Sequence, residues 1–186
     1  MSKLRGDIER FRALSGQHAP LSAFGVLCSC FNPRMVPVVL LRLAELSDRS
    51  GMRALAKFFS MLNVVVFGIE VSPKVEIGGG LFLPHTVGTV IGAERIGNDC
   101  TIMQGVTLGS AEPDMGFVST TRPVIGDGVL IGAGAKVIGR VFVGDGAKIG
   151  ANAVVLRDVP PHAVAVGVPA KVVVAQGSVE LSGDIR

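Results

Sequence analysis

Three histidines, at positions 18, 85 and 162, bound where imidazole chemistry can sit in this chain. His85 stands in Leu83-Pro84-His85-Thr86-Val87-Gly88, with the carboxylate of Glu70 fifteen residues upstream. An imidazole oriented by a carboxylate is a general base: it takes a proton from a hydroxyl and later returns one to a leaving group. His18 lies in an irregular N-terminal stretch and reads as exposed or capping, and His162, after Pro160-Pro161, reads as structural. Cys28, Cys30 and Cys100 cannot close a disulfide set, and Cys28-x-Cys30 lacks a second ligand pair for zinc. They read as small buried apolar residues in a reducing cytoplasm.

The elements that must position His85 follow from a six-residue period. Ile125, Ile131, Val137, Val143, Ile149 and Val155 recur at steps of six, and Gly follows at 126, 132, 144 and 150. Four residues beyond each aliphatic stands a small or β-branched residue: Val129, Ala135, Val141, Ala147, Ala153 and Val159. The hexad reads upstream as Val90, Ile96, Ile102 and Leu108, and before that as Val71, Ile77 and Leu83, one residue out of phase. That slip predicts a corner adjustment at 84–89, the segment that holds His85. Period six fits neither a helix nor a simple hairpin. It fits a triangular parallel β-helix in which one hexad makes one short strand and one corner, with about eighteen residues per coil. Gly97-Asn98 and Asp127-Gly128 are expected where a corner needs positive φ. Residues 109–122 break the period and read as an extruded loop, the kind of feature that carries function on a repetitive scaffold.

The rest of the chain divides around this solenoid. Residues 1–69 read as a helical region, 70–170 as the β-helix and 171–186 as a frayed tail. Within the first part, 7–14 reads as a short charged helix. A second helix over 34–48 turns Val38, Leu41, Ala44 and Leu46 inward and Arg42, Glu45 and Asp48 outward. Leu55, Phe58, Phe59, Leu62 and Val66 over 52–67 read as a core stripe, packed on the first coil and on neighbouring subunits. The largely apolar run 58–69, at twelve residues, is too short to span a membrane, which leaves a weak peripheral contact through the N-terminal helices as the alternative to packing inside the protein. No apolar run follows the charged N-terminus, so no signal peptide is expected and the protein reads as cytoplasmic. The net charge of +3 is scattered singly, without the basic clusters of a nucleic-acid surface. Glycine, at 25 residues, and the absence of Trp and Tyr suit a narrow prism with many corners.

An ordered set of motifs gives the chain a resemblance. It is carried by Val38-Val-Leu-Leu-Arg-Leu-Ala44, Glu70-Val-Ser-Pro73, His85, Gln104-Gly-Val-Thr-Leu-Gly109, Ile131-Gly-Ala-Gly-Ala-Lys136, Lys148-Ile-Gly-Ala151, Val155-Leu-Arg-Asp-Val-Pro-Pro-His162 and Gly167-Val-Pro-Ala170. Over residues 33–174 the chain resembles the serine acetyltransferase family of left-handed β-helix (hexapeptide) acyltransferases. The resemblance implies a homotrimeric, acetyl-CoA-dependent O-acetyltransferase with active sites between neighbouring prisms and no metal. It puts the catalytic base on His85, its carboxylate partner on Glu70, and the oxyanion-stabilising backbone near Gly109. It puts CoA contacts at Ala133 and Ala151; by charge, Lys136, Lys148 and Lys171 are candidates for the nucleotide phosphates, or equally solvated surface residues.

Departures from the family pattern bear on the acceptor. An Asp that precedes the catalytic His in serine-specific members is Pro84 here, and the Arg-His-Pro of the loop is Thr121-Arg122-Pro123, leaving Arg122 as the candidate for an acceptor carboxylate. No acidic residue stands between Glu9 and Glu45, where the family's helical domain supplies a further Asp. The acceptor is therefore either serine or a serine-like small molecule, as the family implies, or a sugar hydroxyl of a surface or exopolysaccharide, as the missing carboxylates suggest. A non-catalytic scaffold is disfavoured by the joint survival of His85 and the CoA-facing pattern. A metal hydrolase on the same solenoid needs three His ligands, which the prism lacks. Enzymes of this family that dock with cysteine synthase end in Ile, whereas this chain ends Ile185-Arg186, which argues against that docking.

Overall fold

The computed structural model describes residues 3–17, 20–113 and 116–175. Four helices precede a prism: α1 (Lys3–Leu14), α2 (Ala23–Cys30), α3 (Val36–Arg49) and α4 (Arg53–Phe67). α4 ends on Gly68, whose left-handed conformation (φ 63°) turns the chain straight into the first strand.

The prism is a left-handed parallel β-helix with three faces. Face one stacks Ile69–Val71, Thr89–Ile91, Thr107–Gly109, Lys136–Ile138 and Val154–Val155. Face two stacks Glu76–Ile77, Arg95–Ile96, Val124–Ile125 and Phe142–Val143. Face three stacks Thr101–Ile102, Leu130–Ile131, Lys148–Ile149 and Ala163–Val166, and Lys171–Ala175 adds to it antiparallel. The expected frayed tail is thus an edge strand over its first five residues; 176–186 lie outside the described residues. Ile125, Ile131, Val137, Val143, Ile149 and Val155 all point into the prism and are buried.

The structure corrects two details of the hexad. Val71 pairs with Ile91, so Ile91 rather than Val90 is the inward residue, and Val90 is 37% exposed. The extra residues of the 84–88 corner are partly recovered on the next step, from Ile91 to Ile96. The glycines that directly follow a hexad aliphatic also do not take positive φ. A Cβ on Gly97 would lie 2.6 Å from the backbone of Gly126 in the next coil, so that position is glycine because the coils approach closely there. Positive φ belongs two residues later, as at Gly128 (φ 65°) and its non-glycine equivalents Asp99, Asn152 and His162.

The helical region departs further from its sequence reading. The first helix begins at Lys3, and α2 occupies a stretch expected to be irregular. On α3 the hydrophobic pattern misplaces three residues: Leu46 is exposed, while Arg42 and Glu45 are buried. The cause is Asp7, fully buried on α1. It accepts from Arg42 Nε (2.8 Å) and Nη2 (3.0 Å) and from the Leu81 amide (2.8 Å). Arg42 also donates to Glu45 and to the carbonyls of Ile77 and Gly78, so a buried ion cluster fastens α1 and α3 to the first coil. Burial works against the Arg42 charge, but Asp7 and Glu45 outweigh it and raise its pKa. Leu55, Phe58 and Val66 on α4 are exposed rather than core, and Cys28 is exposed, so only Cys100 is a buried cysteine.

Candidate active site

Face one positions the candidate residues, because parallel strands put all their N-terminal ends at one edge of the prism and all their C-terminal ends at the other. The N-terminal edge carries the corner of His85, then Gln104, Ala133 and Ala151 in the successive coils. The corners are linked in a ladder: Gly88 N–H to Gly68 O (2.9 Å), Gly105 N–H to Val87 O (3.1 Å), Gly134 N–H to Gln104 O (2.9 Å) and Asn152 N–H to Ala133 O (2.8 Å). His85 is exposed on this edge, Pro84 beside it is half-buried, and Thr86 anchors the corner by donating to Phe67 O (2.8 Å). Ala133 and Ala151 present only methyl groups along the same edge, which leaves an extended chain room to lie against the backbone.

The lysine candidates flank that edge. Lys136, half-buried on face one, donates to the Gly105 carbonyl; Lys148 and Lys171 are exposed on face three. His162 sits away from them, at a positive-φ corner (φ 58°) where its ring packs over Gly146, in keeping with a structural role. His18 lies outside the described residues.

The opposite edge of face one forms a cleft of about 620 Å³. Glu70, Gly92, Gly109, Phe117 and Arg122 line it, under the extruded loop. Open space surrounds the position of a Cβ on Gly109. Arg122 is buried; it donates to Gly92 O (2.8 Å) and its guanidinium lies over the Phe117 ring at 4.3 Å. Arg122 therefore holds the loop against the prism as well as facing the cleft. Phe117, at positive φ (57°), went unremarked in the sequence, although an aromatic residue alone in a polar loop was a signal for it.

Within one chain, then, the structure gathers Glu70, Gly109 and Arg122 into one cleft and strings His85, Ala133 and Ala151 along the other edge. Glu70 is exposed on the first strand between them, and no hydrogen bond joins it to His85 among the described residues. No cluster of His, Cys, Asp and Glu among the described residues could hold a metal ion.

Comparison with known proteins agrees with this architecture. The bacterial transferase hexapeptide (six repeats) family matches residues 122–157. A serine acetyltransferase of Mycobacterium tuberculosis is 39% identical over 175 residues, 93% of this chain and 73% of that protein. A serine acetyltransferase of Escherichia coli is 46% identical over 124 residues, 66% of this chain but 44% of its own length. Among solved structures, serine acetyltransferase from Brucella abortus superposes with a TM-score of 0.77 at 30% identity, covering 94% of this chain and 69% of that one. A serine acetyltransferase in complex with CoA superposes with a TM-score of 0.76 at 32% identity, covering 92% and 68%.

Proposed function

The chain belongs to the serine acetyltransferase family, and from that premise we propose that it transfers an acetyl group from acetyl-CoA to an acceptor hydroxyl, with His85 as the base. The observation that carries this reading is the edge on which His85, Ala133 and Ala151 follow one another in successive coils. Small side chains there suit a long, flexible pantetheine, and Lys136, Lys148 and Lys171 supply cations near that edge for its phosphates.

Acetyl-CoA supplies the acetyl group as a thioester. His85 takes the proton of the acceptor hydroxyl as its oxygen forms the new C–O bond to the carbonyl carbon. When the C–S bond breaks, the imidazolium of His85 gives a proton to the departing sulfur, leaving the acetyl ester and free CoA. We assign the oxyanion of the tetrahedral intermediate to backbone groups beside Gly109, and the orientation and stabilisation of the imidazolium to Glu70. His85 and the Gly109–Arg122 cleft lie at opposite ends of the same strands. A site that uses both therefore takes two neighbouring prisms, which supports a homotrimer with shared sites.

Serine or a serine-like small molecule is the acceptor that family membership favours. A second reading, a saccharide hydroxyl, is favoured by one observation: the neutral Pro84 stands next to His85, where an amino acid's ammonium group would call for a carboxylate. Thiol release from acetyl-CoA against a panel of serine, homoserine and nucleotide- or lipid-linked sugars separates the two. Turnover with serine at ordinary efficiency supports the first, turnover with sugars alone supports the second, and no acceptor-dependent CoA release overturns the assignment.

A further inference from the structure

Helix α4 is amphipathic in the wrong sense for a soluble protein. Its fully buried positions are small or polar: Ala56 and Asn63, the latter donating to Pro37 O (3.0 Å), with Ser60 between them and Phe59 and Phe67 half-buried beside them. Its outward stripe is apolar: Phe58, Met61 and Val65 are 50%, 57% and 76% exposed, at the i, i+3, i+7 spacing of one face. Leu55 and Val66 widen that face and are exposed too. The exposed cations Arg53 and Lys57 stand along one flank of it, and Arg49, just before the helix, is paired with Glu45. No acidic residue occurs between Asp48 and Glu70. α2 adds a second uncharged helix with no buried residue and with Phe24 and Leu27 exposed.

An apolar face with Arg53 and Lys57 along its flank and no acidic residue on the helix fits a bilayer with anionic headgroups, into which the apolar side chains sink while Arg and Lys stay at the phosphates. Two copies of this face meeting about a twofold axis would bring like charges together, and no helix among the described residues is long and apolar enough to cross a membrane. We propose that α4 lies flat on an anionic membrane and docks the protein there, independently of which acceptor it uses. The C-terminal end of this face reaches the corner of His85, through Gly88 N–H to Gly68 O and the exposed Val87. Docking therefore holds the His85 edge near the lipid surface.

Co-sedimentation of the full-length protein with vesicles tests this. The probes are phosphatidylcholine vesicles with and without 30–40% (roughly) phosphatidylglycerol, enough to give the negative surface that basic residues sense. Binding is expected with the anionic vesicles and to fall steeply with salt. Arg53→Glu with Lys57→Glu is expected to weaken it about 25-fold or more, since each basic residue near the surface contributes about fivefold. Phe58→Gln with Met61→Gln changes only exposed side chains, so the fold is kept; it is expected to abolish sedimentation with vesicles while leaving the oligomer's mass unchanged in velocity sedimentation. Wild-type protein that ignores anionic vesicles overturns the proposal. So does a Phe58→Gln, Met61→Gln variant whose oligomer falls apart, because the face would then be a contact between copies of this chain.

Discussion

Replacing Asp7 by Ala should weaken the attachment of the helical region to the coil that carries Glu70 and His85. Asp7 is 0% exposed and accepts three hydrogen bonds, two from Arg42 and one from the Leu81 amide. Its loss leaves Arg42, itself buried, with Glu45 and two carbonyls, and leaves a buried N–H without its carboxylate. Breaking a buried pair by removing one partner costs about 3–5 kcal/mol. The retained Glu45 argues for the lower half of that range. At ~2.1 cal/mol/K per residue, a 186-residue chain has an unfolding entropy of about 0.4 kcal/mol/K, so the melting temperature should drop by about 8–10 °C. Calorimetry or urea unfolding followed by circular dichroism reads this directly. Asp7→Leu combined with Arg42→Met replaces the pair by apolar groups and should recover most of the loss. A drop of less than about 2 °C for Asp7→Ala would refute the claim that this cluster fastens the helices to the prism.

The same cluster sets an acid limit. Burial works against ionisation of Glu45, but hydrogen bonds and charge from Lys3 and Arg42 outweigh it and hold its pKa below the ordinary value. A carboxylate with a lowered folded pKa contributes stability that is complete above the unfolded value, near ~4.3, and is lost as the pH falls through the folded one. Urea midpoints should therefore decline below about pH 4, and Glu45→Gln should blunt that decline; an identical acid-side slope would contradict the assignment. The thiols should separate as well, because burial pushes the Cys100 thiol up to about 11 while Cys28 is exposed. Iodoacetamide at mildly alkaline pH is expected to label Cys28 in the folded protein and Cys100 only after unfolding, and equal rates by peptide mass spectrometry would count against the buried placement.

The prism was legible because its period is written in side chains that meet the core: Ile125 through Val155 are spaced by coil geometry, and no other architecture has that step. The register near His85 was less so, since Val90 and Ile91 are equally apolar and only strand pairing distinguishes them. The glycines at 97, 126, 132, 144 and 150 were visible, but their cause, coil-to-coil distance rather than φ, depends on a neighbour in the next coil. The helices were legible as helices but not in their orientation. Arg42 and Glu45 look like surface residues until Asp7, thirty-five positions earlier, is brought against them, and α4 shows its apolar face outward against the usual rule. For the site, His85 and the loop stood out as breaks in the repeat. Their separation onto opposite edges of one face follows from strand direction in three dimensions, which residue spacing does not display.

The proposed reaction turns on proton transfer by His85. Steady-state acetyl transfer by His85→Ala, measured together with the rise in melting temperature on adding CoA, tests it most directly. His85 is exposed on its corner, so the variant should fold and bind CoA as the wild type does, with kcat down about 10²–10⁴-fold, the range a general base contributes. Unchanged kcat in a variant that still binds CoA would contradict the account.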